Sequence, residues 1–256
     1  MNHKPIVPWI GGKRRLLKHL LPLPDHHTYV EPFAGGAAVL FTKEPSDVEV
    51  INDAHGDLTN LYRVVKHHLE ELLRCFKWSL VSRQQWMWHQ AECPEPLTDV
   101  QRAARFLFLQ KMAFGGKVAG QSFGTSPSTP PRLNLVRLEE DLSQAHLRLS
   151  RVWIETGSWS TCVARYDRPN TLFFCDPPYW KTEGYGAAFP WDQYVALEQS
   201  LREAKGNAII TLGGHSDIVA LFDRSEWQIS KVDIGYTVGG SHRPKRATEL
   251  IIRKSG

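Results

Sequence analysis

Residues Thr171–Tyr179 read TLFFCDPPY. The apolar run Leu172–Cys175 has the length and composition of a strand buried on both faces. It stops at Asp176. Pro177 and Pro178 can neither extend a ladder nor enter a helix interior, so the backbone leaves the sheet in a stiff, fixed shape. A carboxylate and the ring of Tyr179 are thereby set just past the carboxyl end of a strand, where open α/β sheets bind ligands. The plainer alternative is a strand ending in a turn, since Asp-Pro often begins one.

The residues around that strand end suit a demanding acceptor. An amine on a nucleobase ring is a poor nucleophile because its lone pair is delocalised into the ring. Asp176 and the carbonyl of Pro177 can each accept one of its hydrogens, localising the lone pair, while Tyr179 offers a face for the base to stack on.

Working outward, the same alternation of strand and helix recurs. Thr28–Phe33 reads as a strand, followed by a small-residue turn at Ala34-Gly35-Gly36 into a helix. A second strand, Val48–Asn52, ends at Asp53. An acidic strand tip about 20 residues after a glycine turn is where ribose hydroxyls are held, and the absence of G-x-G-x-x-G disfavours a nicotinamide enzyme. This combination suits an adenosyl cofactor, with Glu31 available to its ammonium end; the alternative for Asp53 is the cap of the next helix. Helices are predicted over Asp57–Phe76, Asp99–Met112, Val136–Leu149, Gln193–Ala204 and Ser216–Phe222. Further strands are predicted over Val152–Glu155, Asn207–Leu212, Trp227–Tyr236 and Glu249–Arg253. Residues 77–97 read as irregular and Trp-rich.

Three segments interrupt this order. Phe114–Leu133 is rich in Gly, Pro and hydroxyls; its Lys117, Gln121, Ser122 and Arg132 suit base edges and phosphates, or else the loop is merely solvated. Tyr179–Pro190 reads as an aromatic lid carrying Trp180, Tyr185 and Phe189. Thr237–Arg246 concentrates Arg243, Lys245 and Arg246 in a glycine-bearing loop, a backbone clamp or a plain hairpin tip.

Bulk properties set the bounds. The 256 residues, 42% of them hydrophobic, suffice for a large core with an appended piece, and a net charge of +4 is compatible with a nucleic-acid partner without requiring one. The four cysteines are scattered without C-x-x-C and the eleven histidines form no H-E-x-x-H, so a reduced cytoplasmic protein without a metal site is expected. The apolar runs are too short to span a membrane.

Taken together, PWIGGKR (8–14), VEPFAGG (30–36), INDAHGDL (51–58), FFCDPPY (173–179) and GGSHRPKRATELIIRK (239–254) stand in the order found in Dam-like, D12-class adenine-specific DNA methyltransferases, and the chain resembles the phage and prophage members. The resemblance covers nearly the whole chain. It implies a Rossmann-like, mostly parallel α/β domain with an antiparallel C-terminal hairpin, made from residues 1–55 and 136–256. A small helical target-recognition domain, 56–135, would be inserted between them. It further implies S-adenosylmethionine as donor and the N6 amine of an adenine flipped from double-stranded DNA as acceptor. By position, Trp9, Gly11, Gly12 and Lys13 would border the cofactor, with Glu31, Pro32, Phe33 and Gly35 along it, Asp53 on the ribose and Trp159 near the adenine. Asp176, Pro177, Pro178 and Tyr179 would form the catalytic motif, with Asp176 between cofactor and target amine. A monomer in solution is expected. Pro8 stands where some GATC-reading members have lysine, and segment 114–131 is shorter than their Arg- and Asn-rich hairpin, so the resemblance leaves the recognition site open, GATC included. RNA, protein-amide or cytosine methyltransferases are the rival readings; their families more often carry Asn or Ser in place of Asp176. A DNA-binding homologue that has lost catalysis is the rival from another class.

Overall fold

The computed structural model describes residues 4–124, 130, 133–182, 189–236 and 245–254, with backbone only at 236, 245 and 246. Seven strands make one sheet: β1 Thr28–Glu31, β2 Val48–Asp53, β3 Val152–Thr156, β4 Thr171–Cys175, β5 Asn207–Gly213, β6 Trp227–Tyr236 and β7 Lys245–Lys254. Their order is β3-β2-β1-β4-β5-β7-β6. Strands β1 to β5 are mutually parallel, and β7 runs against both its neighbours.

The helices are α1 Leu17–Leu20, α2 Ala38–Thr42, α3 Gly56–His67, α4 Leu69–Phe76, α5 Arg83–Ala91, α6 Asp99–Met112, α7 Leu135–Leu149, α8 Trp159–Tyr166, α9 Trp191–Glu203 and α10 Ser216–Leu221. Among the described residues none is long and apolar enough to cross a membrane.

The strand sequences explain the two layers. Successive side chains point to opposite faces. Tyr29, Ile51, Leu172, Phe174, Ile209 and Ile251 join the core under α3, α6 and α7. Val30, Val50, Phe173, Cys175, Ile210 and Ile252 join the core under α8, α9 and α10. Being covered on both sides, β4 is buried at every position, as a central parallel strand must be. The first of these cores is continuous from Ile51 of β2 through Leu61 of α3 and Leu107 of α6 to Leu142 of α7. The chain ends also meet: Arg253 of β7 donates from Nη2 to the carbonyl of His19 at 2.9 Å.

Four expectations are corrected. The helix predicted over Asp57–Phe76 is two helices broken at His68 (φ −136°, ψ 41°). Leu69, Leu72 and Phe76 continue the spacing of Leu58, Leu61 and Val65, so the apolar pattern conceals the break. The charges mark it: Lys66 and His67 close one helix and Glu70 and Glu71 open the next, each favourable to its end of the dipole. Residues 77–97 are not irregular throughout, because Ser82 Oγ caps α5 by accepting from Gln85 N at 3.1 Å. Helix α8 was not foreseen; Ser158 caps it in the same way, accepting from Thr161 N. Finally, β7 begins at Lys245, four residues before the expected Glu249, and pairs with β6 in register from Tyr236↔Lys245 to Trp227↔Lys254. Lys245 and Arg246 thus belong to a strand rather than a loop; their polar side chains gave no alternation to read.

Candidate active site

The strand order reverses between β1 and β4, and a cavity of about 710 Å³ lies there, across the carboxyl ends of β1 to β4. That is within the range of small-molecule sites, roughly 300–1,000 Å³. Of the expected cofactor residues, Trp9, Gly12, Lys13, Glu31, Pro32, Phe33, Gly35, Asp53, Trp159 and Asp176 line it. Gly11 stands beside them, in a left-handed turn (φ 70°), and offers its carbonyl to Lys13.

The glycine turn after β1 is specified by contact. Gly35 has φ 47°, and a Cβ built on it would lie 2.8 Å from the indole of Trp9. Only glycine lets the N-terminal motif close over this turn. The amides of Gly35 and His55 each donate to one oxygen of Asp53, both at 2.9 Å. Burial pushes the Asp53 carboxyl up, and these amides pull it back. The capping alternative is excluded, because α3 is capped by His55, whose Nδ1 accepts from Leu58 N.

Glu31 is buried at the cavity wall. Its Oε1 accepts from Tyr29 Oη at 2.7 Å and from Leu40 N at 2.8 Å, while burial pushes the carboxyl up to about 7. On the opposite side, Phe33 and Trp159 stack with centroids 6.3 Å apart, and Phe189 meets Phe33 edge-on at 5.6 Å. The Trp159 indole donates to Gln193 Oε1 at 3.0 Å.

At the end of β4, Asp176 Oδ1 receives Lys13 Nζ at 2.7 Å and Thr211 Oγ1 at 2.8 Å. Among the described residues nothing donates to Oδ2. Burial raises the Asp176 carboxyl, against the pull of Lys13 and Thr211. Pro177 is buried, Pro178 lines the cavity, and the hydroxyl of Tyr194 takes the Pro178 carbonyl. The hydroxyl of Tyr179 donates to Glu249 of β7, and Lys13 Nζ lies 4.6 Å from the Tyr179 ring centroid. Lys13 therefore borders the cavity but turns its ammonium to the Asp176 carboxylate.

The segment after α6 is a closed hairpin rather than a loose loop. Ala113 bridges Phe123, and Gly124 N donates to Met112 O at 2.8 Å. Gln110, fully buried, donates to the carbonyls of Pro8 and Gly116, both at 2.9 Å, tying this hairpin to the N-terminal motif. Its Val118 and Ala119 complete the cavity wall. Lys117 and Ser122 are exposed. Gln121, foreseen as a reader of bases, has its amide nitrogen on Gln110 Oε1 (2.9 Å) and Lys117 O (2.8 Å), a brace for the hairpin. Arg132, Tyr185 and Arg243 lie outside the described residues, as do the side chains of Lys245 and Arg246.

Sequence reading missed Gln193, Val118, Ala119 and His55 as cavity residues, and Thr211 and Glu249 as partners of Asp176 and Tyr179. The first four reach the cavity only through tertiary packing. Thr211 carries one faint signal, a polar residue within the apolar run of β5; Glu249, in the mixed strand KRATELIIRK, carries none.

A parallel doubly wound sheet with one reversed strand, its cavity at the switch point and Asp-Pro-Pro-Tyr at its edge, defines a Rossmann-like methyltransferase. The chain belongs to the D12 class of N6 adenine-specific DNA methyltransferases, whose family model matches residues 9–201. It is 28% identical over 229 residues to the Type II methyltransferase M.CviBI of Paramecium bursaria Chlorella virus NC1A, covering 86% of each chain. It is 25% identical to the Type II methyltransferase M1.LlaDCHI of Lactococcus lactis subsp. cremoris, over 100% of this chain and 97% of that one. Against the DNA N-6-adenine-methyltransferase of Escherichia phage P1 the identity is 27%, over 88% of this chain and 32% of that one. The reaction is methyl transfer to the N6 amine of adenine in DNA.

Proposed function

We propose that the donor is S-adenosylmethionine, held in the cavity between β1 and β4, and that the acceptor is an adenine flipped out of duplex DNA onto Asp176 and Tyr179. The observation that carries this reading is Asp176. It is fixed at the cavity edge by Lys13 and Thr211 on Oδ1, a carboxylate placed to accept from an incoming amine.

The residues present fit such a donor. Asp53 has each oxygen anchored by one amide, leaving lone pairs for two ribose hydroxyls. Phe33 and Trp159 offer aromatic surface to an adenine ring, and Glu31 offers a carboxylate to an ammonium. When bound, the donor supplies an electrophilic methyl carbon on a sulfonium centre. Asp176 accepts one hydrogen of the target amine and the Pro177 carbonyl the other, so the lone pair is aimed rather than delocalised. Tyr179, braced by Glu249, supplies the stacking face. Segment 56–135 is the target-recognition insert, with α3 also serving the sheet. Lys117 and Ser122 face DNA, and Gln121 holds the hairpin that presents them. Arg132 and Tyr185 also contact DNA, and Arg243, Lys245 and Arg246 grip its backbone.

The test is incubation with methyl-labelled donor and DNA from a host lacking adenine methylation, followed by nucleoside analysis. N6-methyldeoxyadenosine carrying the label is expected. Label on cytosine only, or transfer to RNA and not DNA, would overturn the reading.

Two outcomes follow for the cofactor. Asp53→Ala weakens S-adenosylhomocysteine by about 1.5–3 kcal/mol, the range for hydrogen bonds to charged groups, with DNA affinity unchanged. Calorimetry and a gel-shift titration on the same preparation check both halves. The second concerns pH. Because Glu31 holds its proton up to about 7, an ammonium must displace that proton to pair with it. Donor affinity therefore falls as the pH drops from 8 to 6, by at most about tenfold per unit for one linked proton. Glu31→Gln flattens that slope; a slope persisting in the variant refers the proton to another group.

A further inference from the structure

Lys13 occupies an unusual place. It is 4% exposed, its ammonium is 2.7 Å from Asp176 Oδ1, and it stands 4.6 Å from the centroid of the Tyr179 ring. The Asp176 carboxylate and the Tyr179 ring are the two features that a target adenine uses in the reading above. An ammonium over an aromatic face and against a carboxylate is held by two electrostatic contacts, and here the ammonium itself is shielded from solvent.

We propose that Lys13 keeps the target-base position filled while no base is present, and that the entering adenine displaces its ammonium from Asp176 and Tyr179. This inference rests on adenine being the acceptor. A buried carboxylate without a partner is costly, so a site that must receive a neutral base needs a removable counter-charge until that base arrives. The adenine amine then donates to Asp176 in place of the ammonium, and the purine ring takes the face of Tyr179. Lys13 keeps a partner on leaving, since Nζ also donates to the Gly11 carbonyl at 2.5 Å. That carbonyl sits in the left-handed turn at Gly11 (φ 70°), next to Gly12. Thr211 stays on Oδ1 throughout and preserves the carboxylate's orientation during the exchange. The arrangement also selects among bases. A base with no amino hydrogens to give removes the ammonium from Asp176 without replacing it, whereas adenine replaces one donor with another.

The experiment is calorimetric titration of adenosine into protein saturated with S-adenosylhomocysteine, which blocks the cofactor cavity. Lys13→Met keeps the length of the side chain and removes its charge. It is expected to bind adenosine at least tenfold more tightly than the wild type. Lys13→Gln, neutral but polar, serves as a second variant should the first fail to fold, and the same gain is expected. Introducing Asp176→Asn alongside either substitution should remove most of that gain, because the contested acceptor is then altered. Equal or weaker adenosine binding in folded neutral variants would overturn the proposal: it would mean that Lys13 does not compete for the base position. The labelled-donor experiment judges the adenine reading separately. A flat adenosine response in an enzyme that methylates adenine therefore counts against the displacement of Lys13 and not against the activity.

Discussion

Asp176→Ala is expected to lower methyl transfer by about 10³-fold or more, since it deletes a pre-aimed acceptor that acts on the amine as it becomes a nucleophile. Cofactor affinity should change far less, because the anchors proposed for that ligand, Asp53 and Glu31, lie on other strands. The variant also leaves Lys13 without its partner, so Asp176→Asn belongs in the comparison: it keeps the shape and one acceptor but removes the charge. Single-turnover measurement on saturating DNA and cofactor separates the chemical step from binding. Turnover near the wild-type rate in either variant would remove Asp176 from the mechanism.

The largest effect on stability is expected at Glu49, far from the chemistry. Its carboxylate is 4% exposed and receives Lys43 Nζ at 2.6 Å and Arg148 Nη2 at 2.8 Å. Arg148 also donates from Nε and Nη2 to the Leu40 carbonyl, stitching α7 to α2. Removing one member of a buried charge network leaves the others uncompensated, at a cost of about 3–5 kcal/mol. Glu49→Ala should therefore unfold at a lower denaturant midpoint by that amount, and a loss below about 1 kcal/mol would contradict the account. The pH dependence has a definite sign. Burial alone would raise the Glu49 carboxyl, but Arg148 and Lys43 overcome it and hold it below the ordinary value of 4.5. Its contribution is present above that value and is lost as the pH falls through the depressed folded-state value. The gap between variant and wild type narrows in acid.

Much of this architecture was legible because it is local. The run Leu172–Cys175 ending in two prolines, the glycines after β1 and the acid at the tip of β2 each write their geometry into adjacent residues. The strands of the parallel sheet follow from apolar runs of the right length. What escaped reading depends on distant partners. The break at His68 lies within an unbroken apolar spacing, and α4 packs against α6 and α7. The start of β7 is hidden because its first residues are charged and owe their strand form to pairing with β6. At the site, Lys13 is placed beside the cofactor by the resemblance of the N-terminal motif; its alignment with Asp176 exists only once β4 lies beside that motif. Gln121 looked free to read bases because nothing nearby in sequence announces Gln110 as its acceptor.

The pairing of the two chain ends has a consequence for biosynthesis. The hydroxyl of Tyr179 is braced by Glu249, 70 positions later, and Arg253 reaches back 234 positions to His19. Contacts of such sequence separation form late, after the loop-closure entropy between them has been overcome. A nascent chain that has extruded Asp-Pro-Pro-Tyr but not β7 carries the catalytic letters without the brace. At about 5–20 residues per second, translation of the remaining stretch takes several seconds. The Tyr179 ring therefore gains its brace only once β7 has emerged, several seconds after the motif itself.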